Sequence, residues 1–287
     1  MTPVNNQLLI ALEKAVKANI TQDEVGVVLS GGLDSTLIAY LAAKHAHVTG
    51  YCVGSVDSED IRYVKKIANE TSIKLKLINL TKNNLEDKLP DIVKYAGINP
   101  VKVGASVPIY YIASEAKQNT LLSGQGADEL YGGYHKYLLA LAKEGYNGVQ
   151  KNIQYDIKHM FEENLNREIK ICAAHDKQIK YPYMEPGFIK YSLTLNPENK
   201  IKKTTDAKEY DCIDVIGGHK YIRKYILRQA ASKVGVPSTI INRKKKAAQY
   251  GAGAHKLIKR LALENNYKTK ARKQGKKHYL SMYLAEL

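Results

Sequence analysis

The chain has 287 residues, and 44% of them are hydrophobic, which is enough to bury a sizeable core. Its 44 Lys and Arg residues exceed its 28 Asp and Glu residues, and the net charge of +16 would attract polyphosphates, acidic proteins or RNA. Because the sequence has neither a long apolar run nor a secretory leader, we expect a cytoplasmic protein that makes no membrane contact.

The first predicted strand and helix flank a glycine-rich turn. Aliphatic residues at positions 25–29 predict a strand buried on both faces, and Leu37 and Leu41 lie one helical turn apart. The turn reads SGGLDS over residues 30–35, and its paired glycines let backbone N–H groups approach an anion at a helix start. Asp34 would repel a phosphate unless a divalent cation lay between them, so we expect Mg²⁺ here. An ordinary capping turn is the alternative, but the flanking strand and helix favour a phosphate site.

Strands and helices continue to alternate along the first half of the chain. The patterns predict strands at residues 47–53, 74–80 and 120–122, and helices after Asp34 and at residues 58–71, 84–96 and 107–117. This alternation indicates an α/β fold with a doubly wound parallel sheet, in which ligands bind at the carboxyl ends of the strands. Beyond Gly133 the strand signals fade and helical spacing takes over. We therefore expect an α/β core over residues 1–135 and a mainly helical subdomain with a basic C-terminal tail over residues 136–287.

A second glycine-rich segment follows the predicted strand at residues 120–122. It reads SGQGADELYGGY over residues 123–134. Gly124 and Gly126 would let this loop pass close to a nucleotide at the edge of the sheet, and Asp128 would supply a second carboxylate for Mg²⁺. Acidic residues here could also simply cap a helix, and both roles can hold together.

Together the two segments resemble the motifs of the synthetase domain of asparagine synthetases, a family of N-type (PP-loop) ATP pyrophosphatases that includes β-lactam-forming synthetases and lasso-peptide cyclases. Weaker similarity continues at residues 166–185, at residues 224–228, which match K-x-x-L-R, and at residues 243–253, which read RKKKAAQYGAG. The resemblance implies a PP-loop, HUP-like fold. It also implies a ligase that converts ATP to AMP and pyrophosphate, activating a carboxylate as an acyl-adenylate for attack by ammonia or another amine.

The resemblance further implies roles for individual residues. The SGGLDS loop would hold the pyrophosphate of ATP, Asp34 and Asp128 would bind Mg²⁺, and the adenine would lie against the backbone near Leu29 and Val53. A lysine would stabilise negative charge in the reaction, with Lys246 preferred over Lys245. The implied nucleotide-binding set is Leu29, Ser30, Gly31, Gly32, Asp34, Ser35, Val53, Gly124, Lys224 and Arg228, the last two being second candidates that could instead run from a buried helix to solvent.

The clearest departure from the family is Gln125. Asparagine synthetases carry a glutamate there, which is thought to orient or deprotonate ammonia, and Gln178 similarly replaces a later family glutamate. A neutral amide can hydrogen-bond an amine but cannot accept its proton at neutral pH. We therefore list Gln125 with the lysines as a catalytic candidate and expect a nucleophile or acyl acceptor different from that of asparagine synthesis.

The nitrogen source and the partners stay open at this point. Only about one predicted helix precedes the first strand, so we expect no glutaminase domain; ammonia would come from solution or a separate amidotransferase subunit, or the amine would belong to another substrate. One alternative is an RNA-modifying ATP pyrophosphatase that adenylates a nucleobase carbonyl, which the basic charge favours; the absence of paired cysteines disfavours a sulfur-transfer version. Another is a nucleotide-binding subunit without ligase chemistry, against which Asp34 and Asp128 argue. A homo-oligomer is also open.

Overall fold

The computed structural model describes residues 3–71, 73–206, 210–245 and 248–287. Five parallel strands form its main sheet in the order β3-β2-β1-β4-β5. They are β1 (Glu24–Val28), β2 (His47–Gly54), β3 (Lys74–Asn79), β4 (Thr120–Leu122) and β5 (Gln178–Lys180). This confirms the α/β class and the parallel sheet. Because the strands are parallel, their carboxyl ends lie at one edge, where the loops after β1 and β4 leave the sheet.

Helices cover both faces of the main sheet. On one face α1 (Pro3–Ala18) and α2 (Leu33–Ala42) bury Leu12, Leu37 and their neighbours. On the other face α4 (Lys82–Ala96) and α5 (Pro100–Glu115) bury Leu89 and Val107. Another helix, α3 (Glu59–Glu70), follows β2. The two apolar layers, one on each face, bury the main sheet and so fix the position of its carboxyl edge.

The helix predicted from residue 107 begins earlier than expected. In the structure α5 starts at Pro100, and the Asn99 side chain accepts hydrogen bonds from the backbone N–H groups of Val101 and Lys102. An Asn cap followed by Pro is a helix-start signal that outweighs the later Pro108 within the helix. The predicted start at residue 107 was therefore wrong by about two turns.

The second half is mainly helical, but it also contains strands that the sequence patterns did not predict. The helices that follow β4 in the described residues are α6 (Ala127–Leu130), α7 (His135–Met160), α8 (Asn166–Ala173), α9 (Pro186–Thr194), α10 (Pro197–Lys200), α11 (Tyr225–Lys233), α12 (Ser238–Ile241), α13 (Ala248–Gly251), α14 (Ala254–Glu264), α15 (Tyr267–Lys273) and α16 (Tyr279–Ala285). A π-helical turn (Phe161–Leu165) joins α7 to α8, and a 3₁₀ turn spans Pro182–Met184.

Four short strands lie in this half. The fifth strand of the main sheet, β5, comes from it and pairs with β4, so the parts on either side of residue 135 share one sheet; the division at that residue stays a prediction. The other three strands, β6 (Ile201–Thr204), β7 (Asp214–Ile216) and β8 (His219–Arg223), form a small antiparallel sheet. The two residues between β7 and β8, Gly217 and Gly218, both have positive φ, as a tight hairpin turn requires.

The tyrosines of the basic C-terminal tail belong to the core. Tyr267 and Tyr283 are buried with ring centroids 5.1 Å apart, and the Tyr267 hydroxyl donates to Glu286 Oε2 at 2.6 Å. They are therefore not available to stack on nucleic-acid bases. The surrounding lysines are exposed. Among the helices of the described residues, none combines the length and the apolarity needed to cross a membrane.

One buried charge stands out in the second half of the chain. Lys200, at the end of α10, has 0% relative exposure, and its Nζ finds no hydrogen-bond partner among the described residues. It lies 5.9 Å from the ring centroid of Tyr131. Burial lowers the pKa of Lys200 to about 8. An unpaired buried ammonium group destabilises the folded state.

We expect Lys200→Met to raise the free energy of unfolding at pH 7 by about 2 kcal/mol, because it replaces a buried cation with an apolar side chain of similar length. The unfolded chain holds the Lys200 proton up to pH 10.5, whereas the folded chain releases it near pH 8. The free energy of unfolding of the wild type therefore rises between pH 8 and pH 10.5. The difference in this free energy between the Lys200→Met variant and the wild type becomes smaller over the same range. Denaturant titrations at several pH values measure both effects.

The control for that prediction is Lys203→Met, since Lys203 lies on β6 with an exposed side chain. It should change the free energy of unfolding little at any of these pH values. Destabilisation by Lys200→Met would contradict the prediction and indicate that the ammonium group has a stabilising partner.

Candidate active site

The two glycine-rich loops contact each other at the carboxyl edge of the sheet. Gly124 lies so close to the start of α2 that an added Cβ would be 2.8 Å from the backbone nitrogen of Ser35 and 3.1 Å from the carbonyl carbon of Asp34. Only glycine fits at such a backbone approach. The motif after β4 is therefore seated directly on the motif after β1.

The SGGLDS loop is held by its own side chains. Ser35 Oγ accepts a hydrogen bond from the Ser30 backbone N–H at 3.2 Å, and the Gly32 N–H donates to Ser30 Oγ at 3.3 Å. Gly31 has a φ of +67° and packs against Tyr63, where an added Cβ would lie 2.7 Å from the tyrosine Cβ. Among the described residues, no side chain caps the start of α2. An uncapped helix start after a tight glycine turn is suited to binding phosphate.

Two carboxylates and two ammonium groups form an ion cluster beside this loop. Lys224 Nζ lies 2.5 Å from Asp34 Oδ2 and 2.6 Å from Asp128 Oδ1, and Lys245 Nζ lies 2.6 Å from Asp128 Oδ2. Lys224 directly precedes α11 and has a φ of +54°, a backbone conformation that is unusual for lysine and is often found at functional sites. A Cβ added to Gly133 would overlap Asp128 and Lys224, so the last glycines of the second motif make room for the cluster.

Burial and pairing act in opposite directions on this cluster. Burial raises the pKa of Asp34, which Lys224 only partly opposes. Burial also disfavours the Asp128 carboxylate, but Lys224 and Lys245 hold its pKa well below the usual value. The pKa of Lys245 is raised in spite of its burial, because Asp128 and Asp34 face it. The cluster thus sets two carboxyl groups against two lysine side chains beside the loop.

The carboxylates fit a magnesium ion shared with a polyphosphate. The buried Asp34 Oδ1 has no hydrogen-bond partner among the described residues, although a buried carboxylate oxygen normally has one. No group of three or more His, Cys, Asp or Glu side chains that could hold a metal is found in the described part of the chain. Asp34 and Asp128 would therefore supply two oxygens, and phosphate and water the others, which is the usual coordination of Mg²⁺.

The basic segment after α12 provides both a clamp and a cation for the site. Arg243 Nη1 donates to the Ser30 carbonyl at 2.7 Å, and Nη2 pairs with Asp60 Oδ1 at 2.6 Å. This buried arginine, which opens the predicted segment 243–253 but was not named as a site residue, fixes the SGGLDS loop. Lys245 then reaches the ion cluster. Lys246, the preferred candidate from the sequence, lies outside the described residues, so its role stays a prediction.

Arg228 lies at the same site but is already engaged. Its Nε donates to the Arg223 carbonyl at 2.8 Å, and its Nη1 donates to the Ile241 carbonyl. Burial lowers the pKa of Arg228. It is 4% exposed and does not run to solvent; Nε holds the backbone carbonyl next to Lys224, and Nη1 holds the end of α12. Its predicted phosphate contact is untested.

Nearly all residues predicted from the sequence line one pocket. The apolar part of the lining includes Val53 and Cys52 of β2 and Pro108 and Ile109 of α5, which offers a wall for a planar base. Gly31 does not line the pocket but shapes the loop beneath it. The predicted residues that line it are Leu29, Ser30, Gly32, Asp34, Ser35, Val53, Gly124, Gln125, Asp128, Lys224, Arg228 and Lys245.

The motif analysis also missed a buried carboxylate of the pocket. Glu168 on α8 lines the pocket, has 1% relative exposure, and accepts a hydrogen bond from Gln125 Nε2 at 2.9 Å. Gln178, which the resemblance aligned with a family glutamate, instead opens β5 with an exposed side chain. The only sequence signal for Glu168 was its position in the weakly matched segment 166–185.

Comparison with known proteins agrees with this geometry. The Asparagine synthase family model matches residues 7–148 and 139–281. A Methanocaldococcus jannaschii protein, provisionally named glutamine-hydrolysing asparagine synthetase 1, is 30% identical over 283 residues, covering 90% of this chain and 52% of its own length. The root glutamine-hydrolysing asparagine synthetase of Pisum sativum is 27% identical over 262 residues, covering 85% of this chain and 42% of its own length.

A third relative, from Dictyostelium discoideum, is also provisionally named a glutamine-hydrolysing asparagine synthetase and is 27% identical over 268 residues, covering 85% of this chain and 46% of its own length. The chain spans about half the length of the curated relatives it matches. The family match extends over both glycine-rich loops, the ion cluster and α8. The chain therefore belongs to the asparagine synthase family.

Proposed function

We propose that this chain is an ATP-dependent carbon–nitrogen ligase that converts a carboxylate into an acyl-adenylate, releases pyrophosphate, and transfers the acyl group to ammonia or another amine. The observation that carries the proposal is the contact between the two glycine-rich loops, which places Asp34, Asp128, Lys224 and Lys245 in one pocket. Family membership supports the same reaction class.

In the first half-reaction, a substrate carboxylate oxygen would attack the α-phosphate of ATP and displace pyrophosphate. The uncapped start of α2 and the SGGLDS backbone would bind the departing phosphates. Asp34 and Asp128 would hold Mg²⁺, which neutralises phosphate charge when bound. The apolar wall at Val53 and Ile109 would receive the adenine.

In the second half-reaction, an amine nitrogen would attack the acyl carbon, and AMP would leave. Negative charge then develops on the acyl oxygen and on the departing phosphate. Lys245 is anchored by Asp128 and is 25% exposed at its side chain, so it can contact the reacting groups from a fixed position. Preorganised cations of this kind stabilise charge that appears in the transition state.

The nitrogen source and any further partner belong to the same proposal. Ammonia would come from solution or from an amidotransferase. The names of the relatives state that they hydrolyse glutamine, and this chain spans about half of their length. RNA is a second ligand to test, because the lysines of α15 are exposed and positively charged. The neighbouring tyrosines are buried and would not contribute to RNA binding by stacking on bases.

The first expected result is that ATP is cut between its α- and β-phosphates, because the loops would grip the pyrophosphate portion. Incubation with Mg²⁺, ATP, ammonium and a panel of amino acids and dicarboxylates, aspartate included, should yield AMP and pyrophosphate in equal amounts. Chromatography of the nucleotide products measures this, with and without added RNA. Formation of ADP and phosphate would contradict the proposed function.

Asp34→Asn and Asp128→Asn should each reduce Mg²⁺-dependent turnover by at least about 100-fold, because each change removes one anionic oxygen ligand. When the rate of pyrophosphate release is measured at increasing Mg²⁺ concentrations, each variant should need more Mg²⁺ than the wild type to reach half of its maximal rate. The matched control is Asp57→Asn, an exposed acid at the same edge of the sheet, which should leave the rate unchanged. Near-normal turnover of both site variants would exclude a metal role for the pair.

Lys245→Ala should lower kcat by about 10²-fold while changing ATP affinity much less, because the lysine is proposed to act on charge that develops during the reaction. Steady-state rates and equilibrium binding of ATP separate the two effects. Lys256→Ala, on the exposed face of α14, serves as the control for a lost surface charge. Collapse of ATP affinity with normal turnover at saturation would make Lys245 a binding residue.

A further inference from the structure

Glu168 is a buried carboxylate in the pocket, and it has no role in the two half-reactions described above. It lies on α8 directly after the π-helical turn Phe161–Leu165. A π turn shifts the phase of the helix that follows it, and such turns are frequent at functional sites. Here the following helix directs Glu168 into the pocket lining, opposite the second glycine-rich loop.

The hydrogen bonds of Glu168 come from neutral donors. Gln125 Nε2 donates to its Oε1 at 2.9 Å, and the Tyr181 hydroxyl donates to its Oε2 at 3.2 Å. Among the described residues no lysine or arginine forms an ion pair with it, in contrast to Asp34 and Asp128. Burial raises the pKa of Glu168, which Gln125, Arg167 and Tyr181 oppose. A buried carboxylate without a paired cation is costly to retain for structure alone.

Gln125 is oriented by this contact. Because its amide nitrogen donates to Glu168, its Oε1 is left as a hydrogen-bond acceptor, and no described residue donates to that oxygen. An ammonia molecule in the pocket would therefore meet two acceptors, Gln125 Oε1 and a carboxylate oxygen of Glu168. Such a pair can orient the nitrogen lone pair toward an electrophile and also receive a proton.

We propose that Glu168 is the general base of the second half-reaction and that Gln125 positions both it and the nucleophile. This inference rests on the proposed ligase function. The amine nitrogen forms a bond to the acyl carbon, the bond between that carbon and the phosphate oxygen of AMP breaks, and AMP leaves with the electron pair. The proton released by the nitrogen passes to Glu168. With Glu168 as the base, ammonia stays a competent nucleophile in spite of Gln125.

The test separates adenylation from amide formation. The assays use ammonium chloride and the acid that supports the fastest ATP–pyrophosphate exchange in the panel. Glu168→Gln should keep exchange within about threefold of wild type, since adenylation needs no base from this residue, and should reduce amide formation by about 10²–10⁴-fold. Glu162→Gln, an exposed glutamate in the π-helical turn, should change neither rate.

A rescue experiment distinguishes a base from a purely structural glutamate. In the double variant Gln125→Glu with Glu168→Gln, the carboxylate and the amide exchange places, and amide formation should recover at least tenfold over Glu168→Gln alone. Glu168→Asp, which keeps the carboxylate, is the second single variant and should retain more amide formation than Glu168→Gln. The thermal midpoint of each variant reports whether it folds.

Three results would overturn the inference. Glu168→Gln could keep full amide formation, it could lose exchange and amide formation to the same extent, or the exchanged double variant could show no recovery while folding normally. Failure of the underlying function is a different result: the wild type would then show no exchange with any acid of the panel.

Discussion

The ion bridge of Lys224 to Asp34 and Asp128 is the interaction on which the site depends. It links three separated stretches of chain, namely the start of α2, the loop after β4 and the start of α11. Each carboxylate alone would be costly to keep charged, because both are largely removed from water. One ammonium group facing both of them lets the two motif loops meet without electrostatic repulsion.

Several other features serve this bridge. Gly124 and Gly133 have no room for a side chain because the loops and the ion pair lie against them. Arg228 holds the backbone carbonyl of Arg223, next to Lys224, and Arg243 holds the carbonyl of Ser30. These contacts use buried guanidinium groups to fix backbone, which leaves the flexible ammonium side chains of Lys224 and Lys245 for the groups that would react.

Much of this architecture could be predicted from sequence. The first four strands were located to within about one residue at each end, because buried parallel strands read as continuous apolar runs bounded by turns. Many residues that line the pocket were predicted from the two glycine-rich motifs, because their glycines allow tight turns and close backbone contacts. Short elements were not predictable: β5 has three residues, too few for a periodic signal, and exists because β4 offers it an open edge.

Residues defined by tertiary contact were harder still. The central position of Lys224 between two distant carboxylates has no local pattern, and neither has the inward direction of Glu168, which depends on a π-helical turn. From the sequence alone, Gln125 indicated only that the family's glutamate is missing at this position. The structure adds that its side chain donates a hydrogen bond to Glu168 on α8. The buried Tyr267 and Tyr283 likewise show that tyrosines in a lysine-rich tail can belong to the core rather than to a binding surface.

The position of the two site lysines along the chain bears on how the site is assembled. Asp34 and Asp128 lie in the first half, whereas their counter-ions come from Lys224 and Lys245, and β5 must return to the sheet from residue 178. During synthesis from the N-terminus, the acidic half of the cluster therefore exists before its basic half has been made. Closure of the site is a late, non-local step in folding, as is usual where contacts join residues far apart in sequence.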